Sequence, residues 1–198
     1  MIRRKIVSIH LLGVIMLSKS LDLVEGAEVK IDGLKVSVKG PKGELEKDFS
    51  SPRFRSIKID VKDKINVTSN EDDKKIKAMI GTIIAHIRNM MVGVTQGYEY
   101  KMKIQFAHFP INVEVKEGQV FIKNFLGEKG FRITNVLGDV DVKTTKEEVV
   151  ISGSNKEDVG QTALNIEHAC KTRRIDRRII NDGIYIYERG LQPEGGKK

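Results

Sequence analysis

A single cysteine, Cys170, occurs in 198 residues. That scarcity excludes intramolecular disulfides and four-cysteine zinc sites, and it agrees with a reducing cytosolic interior. The four histidines, His10, His86, His108 and His168, form no ligand cluster with it, so no metal is expected. His168 and Cys170 stand two apart on a helical stretch, where side chains diverge by roughly 200°, which disfavours a Cys-His nucleophile pair. Cys170 reads instead as a small buried residue.

Other absences narrow the function further. There is no phosphate-cradling loop ending in Lys-Ser/Thr, and no dinucleotide fingerprint leads from a strand into a helix. The paired acids Asp72-Asp73 and Glu147-Glu148 fall at turns or helix starts, where solvation explains them. No convergent set of titratable residues is present, so no catalytic residue and no cofactor are expected. Long apolar runs are also scarce. The stretch from Ile6 to Leu17, behind Arg3-Arg4-Lys5, resembles the charged and hydrophobic parts of a secretory signal. It contains Ser8, His10 and Gly13, lacks a small-x-small cleavage site, and is too short to span a bilayer as a helix. Residues 1–24 are read as an N-terminal extension of uncertain order, with Met16 a candidate initiator, and no membrane partner is expected.

What the chain does have is enough apolar material for a core, 39% hydrophobic, and a 31% charged complement to keep it soluble. Its length allows one large domain or two small ones, since single cores take about 100–150 residues. The formal charge of +8 is unevenly placed. Residues 1–20 hold Arg3, Arg4, Lys5 and Lys19 without an acid, a net +4. Residues 171–198 hold Lys171, Arg173, Arg174, Arg177, Arg178, Arg189, Lys197 and Lys198 against Asp176, Asp182, Glu188 and Glu194, again +4. The intervening chain is balanced, so the excess sits at the two ends. A localised basic patch is a better footprint for nucleic acid than diffuse charge.

Periodicity reveals a repeat. Val29, Ile31, Leu34, Val36 and Val38 alternate about a turn-like Asp32-Gly33, predicting an antiparallel hairpin. Gly40-Pro41-Lys42-Gly43 superficially resembles the glycine clamp of some single-stranded RNA binders, but it lies between strands and reads as a hairpin turn. Leu45 and Phe49 resume the strand. Ile57, Ile59 and Val61, then Ile65 and Val67, predict a further strand pair. From Ser69 the period becomes helical, with Ile76, Met79, Ile80, Ile83, Ile84, Ile87 and Met91 on one face. Ser69 or Asn70 is placed to cap that helix, and Glu71, Asp72 and Asp73 favour its N-terminal dipole. Gly93 and Gly97 then release the chain into the alternating Tyr98, Tyr100, Met102 and Ile104.

The same order follows again. Ile111, Val113 and Val115 lead through a hairpin to Val120 and Ile122, and Val140 and Val142 pair with the segment Val149-Val150-Ile151. Gly127-Glu128-Lys129-Gly130 reads as a turn. A helix with the stripe Val159, Ala163, Ile166 and Cys170 begins near Ser154, which has capping-box spacing to Glu157. Asp182-Gly183 turns into Ile184, Tyr185, Ile186 and Tyr187. At an offset of 84, Val36 matches Val120, Val38 matches Ile122, Lys39 matches Lys123 and Gly43 matches Gly127. The expected fold is α+β: two tandem similar domains, each an antiparallel β-sheet with one packed α-helix. Its boundaries are read as 25–103 for the first domain, 104–189 for the second, RNA-binding domain and 190–198 for a basic C-terminal tail.

The strongest chemical constellation follows the second helix: Lys171-Thr172-Arg173-Arg174-Ile175-Asp176-Arg177-Arg178. Guanidinium groups form paired charge-assisted hydrogen bonds to phosphate oxygens, and such contacts position a protein on folded RNA without base identity. Asp176 and Asp182 are candidates to orient these arginines. The equivalent exit of the first helix, Asn89-Met90-Met91-Val92-Gly93-Val94, is uncharged. This asymmetry assigns RNA binding to the second copy.

Four motifs then resemble a known family, the large-subunit ribosomal protein L-six family in its archaeal and eukaryotic form. They are Ile31-Asp32-Gly33-Leu34-Lys35-Val36, Gly40-Pro41-Lys42-Gly43-Glu44-Leu45, Ala107-His108-Phe109-Pro110, and Arg178-Ile179-Ile180-Asn181-Asp182-Gly183-Ile184-Tyr185-Ile186. They stand in family order over roughly residues 22–190. The resemblance implies a non-enzymatic, cytoplasmic ribosomal protein. It would bind large-subunit rRNA near the sarcin-ricin loop and the stalk base where translational GTPases dock. Neighbouring ribosomal proteins and those GTPases would be its protein partners. Carried onto this chain, the RNA contacts fall on Arg173, Arg174, Arg177, Arg178, Tyr185, Arg189, Lys197 and Lys198, beside Lys171 of the basic run. Two competing readings are an enzyme acting on RNA and a protein-interaction module working through the charge-balanced first domain.

Overall fold

The computed structural model describes residues 6–11, 14–51, 56–61, 64–71, 73–172, 176 and 179–193. The chain divides into two compact units between Thr95 and Gln96. In the first unit, β1 (Ile6–Leu11) and β2 (Val14–Asp22) precede β3 (Glu28–Asp32), β4 (Lys35–Gly40) and β5 (Gly43–Asp48). Then come β6 (Ile57–Val61), β7 (Lys64–Ser69) and helix α1 (Lys74–Thr95). The second unit runs β8 (Tyr98–Gln105), β9 (Asn112–Lys116), β10 (Gln119–Lys123) and a 3-10 turn at Phe125–Gly127. It continues with β11 (Phe131–Asn135), β12 (Val140–Thr144), β13 (Glu148–Gly153), helix α2 (Lys156–Ala169) and β14 (Gly183–Leu191).

Each unit holds a three-stranded and a four-stranded sheet, ordered β3-β4-β5 and β1-β2-β7-β6 in the first, β11-β10-β9 and β12-β13-β8-β14 in the second. All pairings are antiparallel. The α+β class and the tandem similarity expected from the sequence are both present. The predicted hairpin has Val29 opposite Val38 and Ile31 opposite Val36. Its turn carries Gly33 at φ +63°, a conformation that glycine adopts without steric cost. The matching turn of the second unit, Glu117-Gly118, has φ of 51° and 73°, as a two-residue hairpin of type I′ requires.

The repeat begins one strand earlier than periodicity indicated. β2 pairs antiparallel with β7 as β8 does with β13, and Glu28 of β3 corresponds to Asn112 of β9, 84 residues later. β8 lies between β13 and β14, so it belongs with the second unit and not, as read from its helix-then-strand order, with the first. Its counterpart β2 lies in the segment read as an extension. There Leu17 and Leu21 are buried, and β2 pairs with β7 from Leu17–Ser69 to Asp22–Lys64. A charged start followed by apolar residues had masked a strand whose alternate side chains enter the core.

Both helices bury the predicted stripes. Ile76, Ile80, Ile83, Ile84, Ile87 and Met91 are core residues of the first unit, joined by Met90 and Val94. By length and composition α1 is apolar enough to cross a bilayer, with a mean hydropathy of 1.2. Its buried stripe packs with the sheet residues Val36, Val38, Ile65 and Val67, as in the core helix of a globular unit. In α2, Val159, Ala163 and Ile166 are fully buried and Cys170 nearly so. The caps fall closer to the helices than the sequence reading placed them. Asp73, not Ser69 or Asn70, starts α1: its carboxylate accepts from the Lys75 N–H at 3.3 Å and its carbonyl from Lys77 at 2.9 Å. Asn155, not Ser154, starts α2, accepting from Glu157 N–H at 3.0 Å and donating to Asp158 at 2.8 Å. Gly93 is buried inside α1; only Gly97, at φ +76°, lies past its end.

The segment Gly40-Pro41-Lys42-Gly43 closes the β4–β5 hairpin and docks on the end of α1, where Lys42 N–H donates to the Val94 carbonyl at 2.9 Å. Gly40 is needed for that approach, because a Cβ there would lie 2.7 Å from Val94 Cγ2 and 2.8 Å from its carbonyl oxygen. Gly40→Ala is therefore expected to cost about 1–3 kcal/mol in urea unfolding, the range of an overpacked contact. Gly130→Ala, where a Cβ would meet nothing within 4 Å, should change stability by less than about 0.5 kcal/mol.

Candidate nucleic-acid interface

Helix α2 ends without a glycine. The Cys170 N–H turns back to the Ile166 carbonyl at 3.3 Å and the Lys171 N–H to that of His168 at 3.0 Å. Carbonyls at a helix end need partners from outside the helix. Arg132, on β11, is one: its Nη1 donates to the Ala169 carbonyl at 2.7 Å and to the Lys171 carbonyl at 3.3 Å. Glu128 holds the other side of the guanidinium, accepting from Nε at 3.0 Å and from Nη2 at 2.6 Å. The guanidinium also lies 4.3 Å from the centroid of the buried Phe125 ring, a cation–π geometry. The hydrogen bond from Arg132 holds the Glu128 carboxyl below its ordinary range. A cleft of about 680 Å³ opens here, lined by Leu126, Glu128, Arg132, His168, Ala169, Lys171 and Thr172.

The basic run starts at this helix exit. Lys171 is exposed, with its backbone fixed on both sides as described. Arg173, Arg174, Arg177 and Arg178, and the tail lysines Lys197 and Lys198, lie outside the described residues. Asp176 accepts through its carbonyl from the N–H groups of Ile179 and Ile180, both at 3.1 Å.

The arginines that Asp182 was expected to orient lie outside the described residues. Asp182 is buried, and its carboxylate accepts from the Ala107 N–H at 3.0 Å. That bond ties two of the four sequence motifs together, the Ala107–Pro110 segment and the Asn181-Asp182-Gly183 turn. The same region is packed through glycines: a Cβ at Gly183 would lie 2.9 Å from the Tyr185 ring, and one at Gly127 would lie 3.3 Å from Phe109.

Tyr185 and Arg189 both sit on β14, but the strand does not present them together. Tyr185 is opposite Lys103, Arg189 is opposite Tyr100, and the register shifts between Ile186 and Glu188. Directly opposed residues share a face, so the extra residue, Tyr187, moves Arg189 to the face of the buried Tyr100. Tyr185 stays on the Lys103 face. Arg189 accordingly lies 6.0 Å from the Tyr100 ring centroid, while Tyr185 is half-buried with its hydroxyl donating to the Asp182 carbonyl at 3.4 Å. Spacing of four in a regular strand would have placed both on one side; a bulge is not visible in alternation alone.

Among the described residues no group of three or more His, Cys, Asp or Glu side chains could hold a metal ion. Burial pushes the Cys170 thiol up to about 12, against a smaller opposing effect of Arg132. The nucleophilic thiolate is therefore almost absent at pH 8.

A duplicated sheet-and-helix scaffold with a basic stretch leaving its second helix defines a binding protein of the structural kind. The comparisons give its kinship. The family model for ribosomal protein L6 matches residues 25–97 and 109–183, the first almost wholly in the first unit and the second in the other. The large ribosomal subunit protein uL6 of Ignicoccus hospitalis is 49% identical over 172 residues, covering 85% of this chain and 92% of that protein. Those of Staphylothermus marinus and Methanothrix thermoacetophila are each 48% identical, covering 87% and 86% of this chain and 94% and 96% of their own lengths. The chain belongs to the ribosomal protein L6 family, which is structural and non-enzymatic.

The thiol supplies a direct check on the burial of Cys170. N-ethylmaleimide at pH 8 should label Cys170 in the native protein at least about tenfold more slowly than in urea, since only the thiolate reacts and burial suppresses it. Equal rates would contradict the burial of this residue.

Proposed function

We propose that this chain is a structural constituent of the large ribosomal subunit that binds large-subunit rRNA through its second unit. Its place is near the sarcin-ricin loop, where translational GTPases dock. On this reading it works in the cytoplasm, within the ribosome, beside neighbouring ribosomal proteins. The curated relatives are named as large-subunit proteins, and this chain spans nearly their whole length. The single observation that carries the RNA assignment is the difference between the two helix exits. The stretch that follows α2 brings Lys171, Arg173, Arg174, Arg177 and Arg178 within eight residues, while the last turns of α1 carry only apolar and neutral residues from Asn89 to Thr95. Phosphate contacts need concentrated cations, which the stretch after α2 offers and the end of α1 does not.

The first unit supports the same division. On the outer face of its three-stranded sheet, Lys39 lies between Glu28 and Glu44, and Lys35 between Asp32 and Asp48. Opposite charges in adjacent strands neutralise one another, so this face offers little to a polyanion.

Sedimentation through sucrose gradients at low and raised salt tests the reading, comparing wild type with a variant in which Arg173, Arg174, Arg177 and Arg178 are all Ala. Wild type should travel with the large subunit at both salts and the variant should remain at the top at raised salt. In titrations with large-subunit rRNA, losing four phosphate contacts should flatten the slope of log K against log salt by about three to four. Wild type that stays at the top despite vacant sites would refute the ribosomal assignment. Equal co-migration of the two proteins would move the anchor away from these arginines.

A further inference from the structure

The two units share a register, and at one matched position they differ in kind. In the first unit Val38 pairs with Leu45; in the second its counterpart Ile122 pairs with Arg132. Leu45 packs against the apolar core of its unit. Arg132 spends an inward-facing position on a charge, which costs desolvation unless the charge is fully paired. It is paired, with both oxygens of Glu128, the carbonyls of Ala169 and Lys171, and the face of Phe125.

The helix ends differ in step with that position. α1 closes without a charged side chain: the Thr95 hydroxyl donates to the carbonyls of Met91 at 2.9 Å and Val92 at 3.1 Å, and the backbone N–H of Lys42 in the β4–β5 turn covers Val94. At the end of α2 a strand side chain 37 positions away, Arg132, donates to the Ala169 carbonyl, and it also reaches that of Lys171. The copy whose helix exit leads into basic sequence is the copy that carries the arginine clamp.

Resting on the RNA-binding reading above, we propose that Arg132 is a positioning residue for rRNA binding. By holding the carbonyls of Ala169 and Lys171, it fixes the direction in which the chain leaves α2 at Lys171-Thr172, so that the Lys171 cation is presented to phosphate without first being ordered. Rigid presentation raises affinity by lowering the entropy lost on binding. The planar fork is essential, because Nε and Nη2 engage the carboxylate while Nη1 serves two carbonyls. A lysine ammonium cannot span that arrangement.

The test uses the full chain and purified large-subunit rRNA, with affinity measured over a salt series well below each variant's melting temperature. Arg132→Leu, which installs the residue of the first copy, should melt cooperatively yet bind roughly tenfold more weakly, the loss expected when ordering of the exit moves into the binding step. Its salt slope should fall by about one. Arg132→Lys should not rescue affinity, and Lys171→Ala should cost less in the Arg132→Leu background than in wild type. Should Arg132→Leu not fold, Glu128→Gln keeps the guanidinium, removes half of its clamp, and should weaken binding by a smaller factor. Wild-type affinity and slope in the folded Arg132 variants, with only the melting temperature lowered, would show a purely structural residue and overturn the proposal. If those variants bind normally while the four-arginine variant does not, this proposal alone falls; if wild type shows no salt-dependent binding, it falls together with the reading beneath it.

Discussion

A strand pair that turns alternate side chains to opposite faces must hide one of those faces, and in each unit a single helix shares the core that does so. Val36 and Val38 in one unit, and Val120 and Ile122 in the other, are completely buried at matched positions. The helix stripe from Ile76 to Met91 shares the first of those interiors, and Val159, Ala163 and Ile166 are fully buried in the second unit. Everything else is arranged around this burial. The caps at Asp73 and Asn155 start each helix where its stripe begins, and tight turns at Gly33 and Gly118 keep the strands in register. The opposite sheet faces are left free to diverge, because side chains there do not decide whether the unit folds.

Divergence is concentrated where the helices end. A helix C-terminus carries partial negative charge and unpaired carbonyls, and it attracts cations. In the first unit a threonine hydroxyl and one backbone N–H deal with those carbonyls, so the exit stays neutral. In the second, a guanidinium does so and the basic sequence follows at once. Two copies of one architecture have thus been given different surfaces, with one inward position changed from Leu45 to Arg132. The outer face of the first three-stranded sheet holds alternating charges, whereas the second places Phe131 and Ile133 there, 58% and 49% exposed.

That inversion explains what could and could not be read from the residues. Strands with apolar residues inward, such as Val29–Ile31 or Tyr98–Ile104, declare themselves by alternation, and so do both helical stripes. β11 reverses the code, with Arg132 inward and Phe131 and Ile133 outward, and for that reason neither the strand nor the clamp was apparent. β2 was obscured by a start that looks like a leader, although Leu17 and Leu21 are buried in the core. At the candidate interface, the charge asymmetry and the family motifs were legible. The separation of Tyr185 from Arg189 was not, because a bulge adds one residue without leaving a mark in the pattern. Nor was the role of Asp182, whose partner Ala107 lies 75 residues away.

The central claim is that one of two similar units carries the RNA contacts. Ultraviolet cross-linking of the full chain within purified large subunits, followed by peptide mass spectrometry, tests it most directly. The account predicts that RNA adducts concentrate in peptides from 171–198, with few or none from 25–95. Adducts concentrated in the first unit, with the second unmodified, would contradict it.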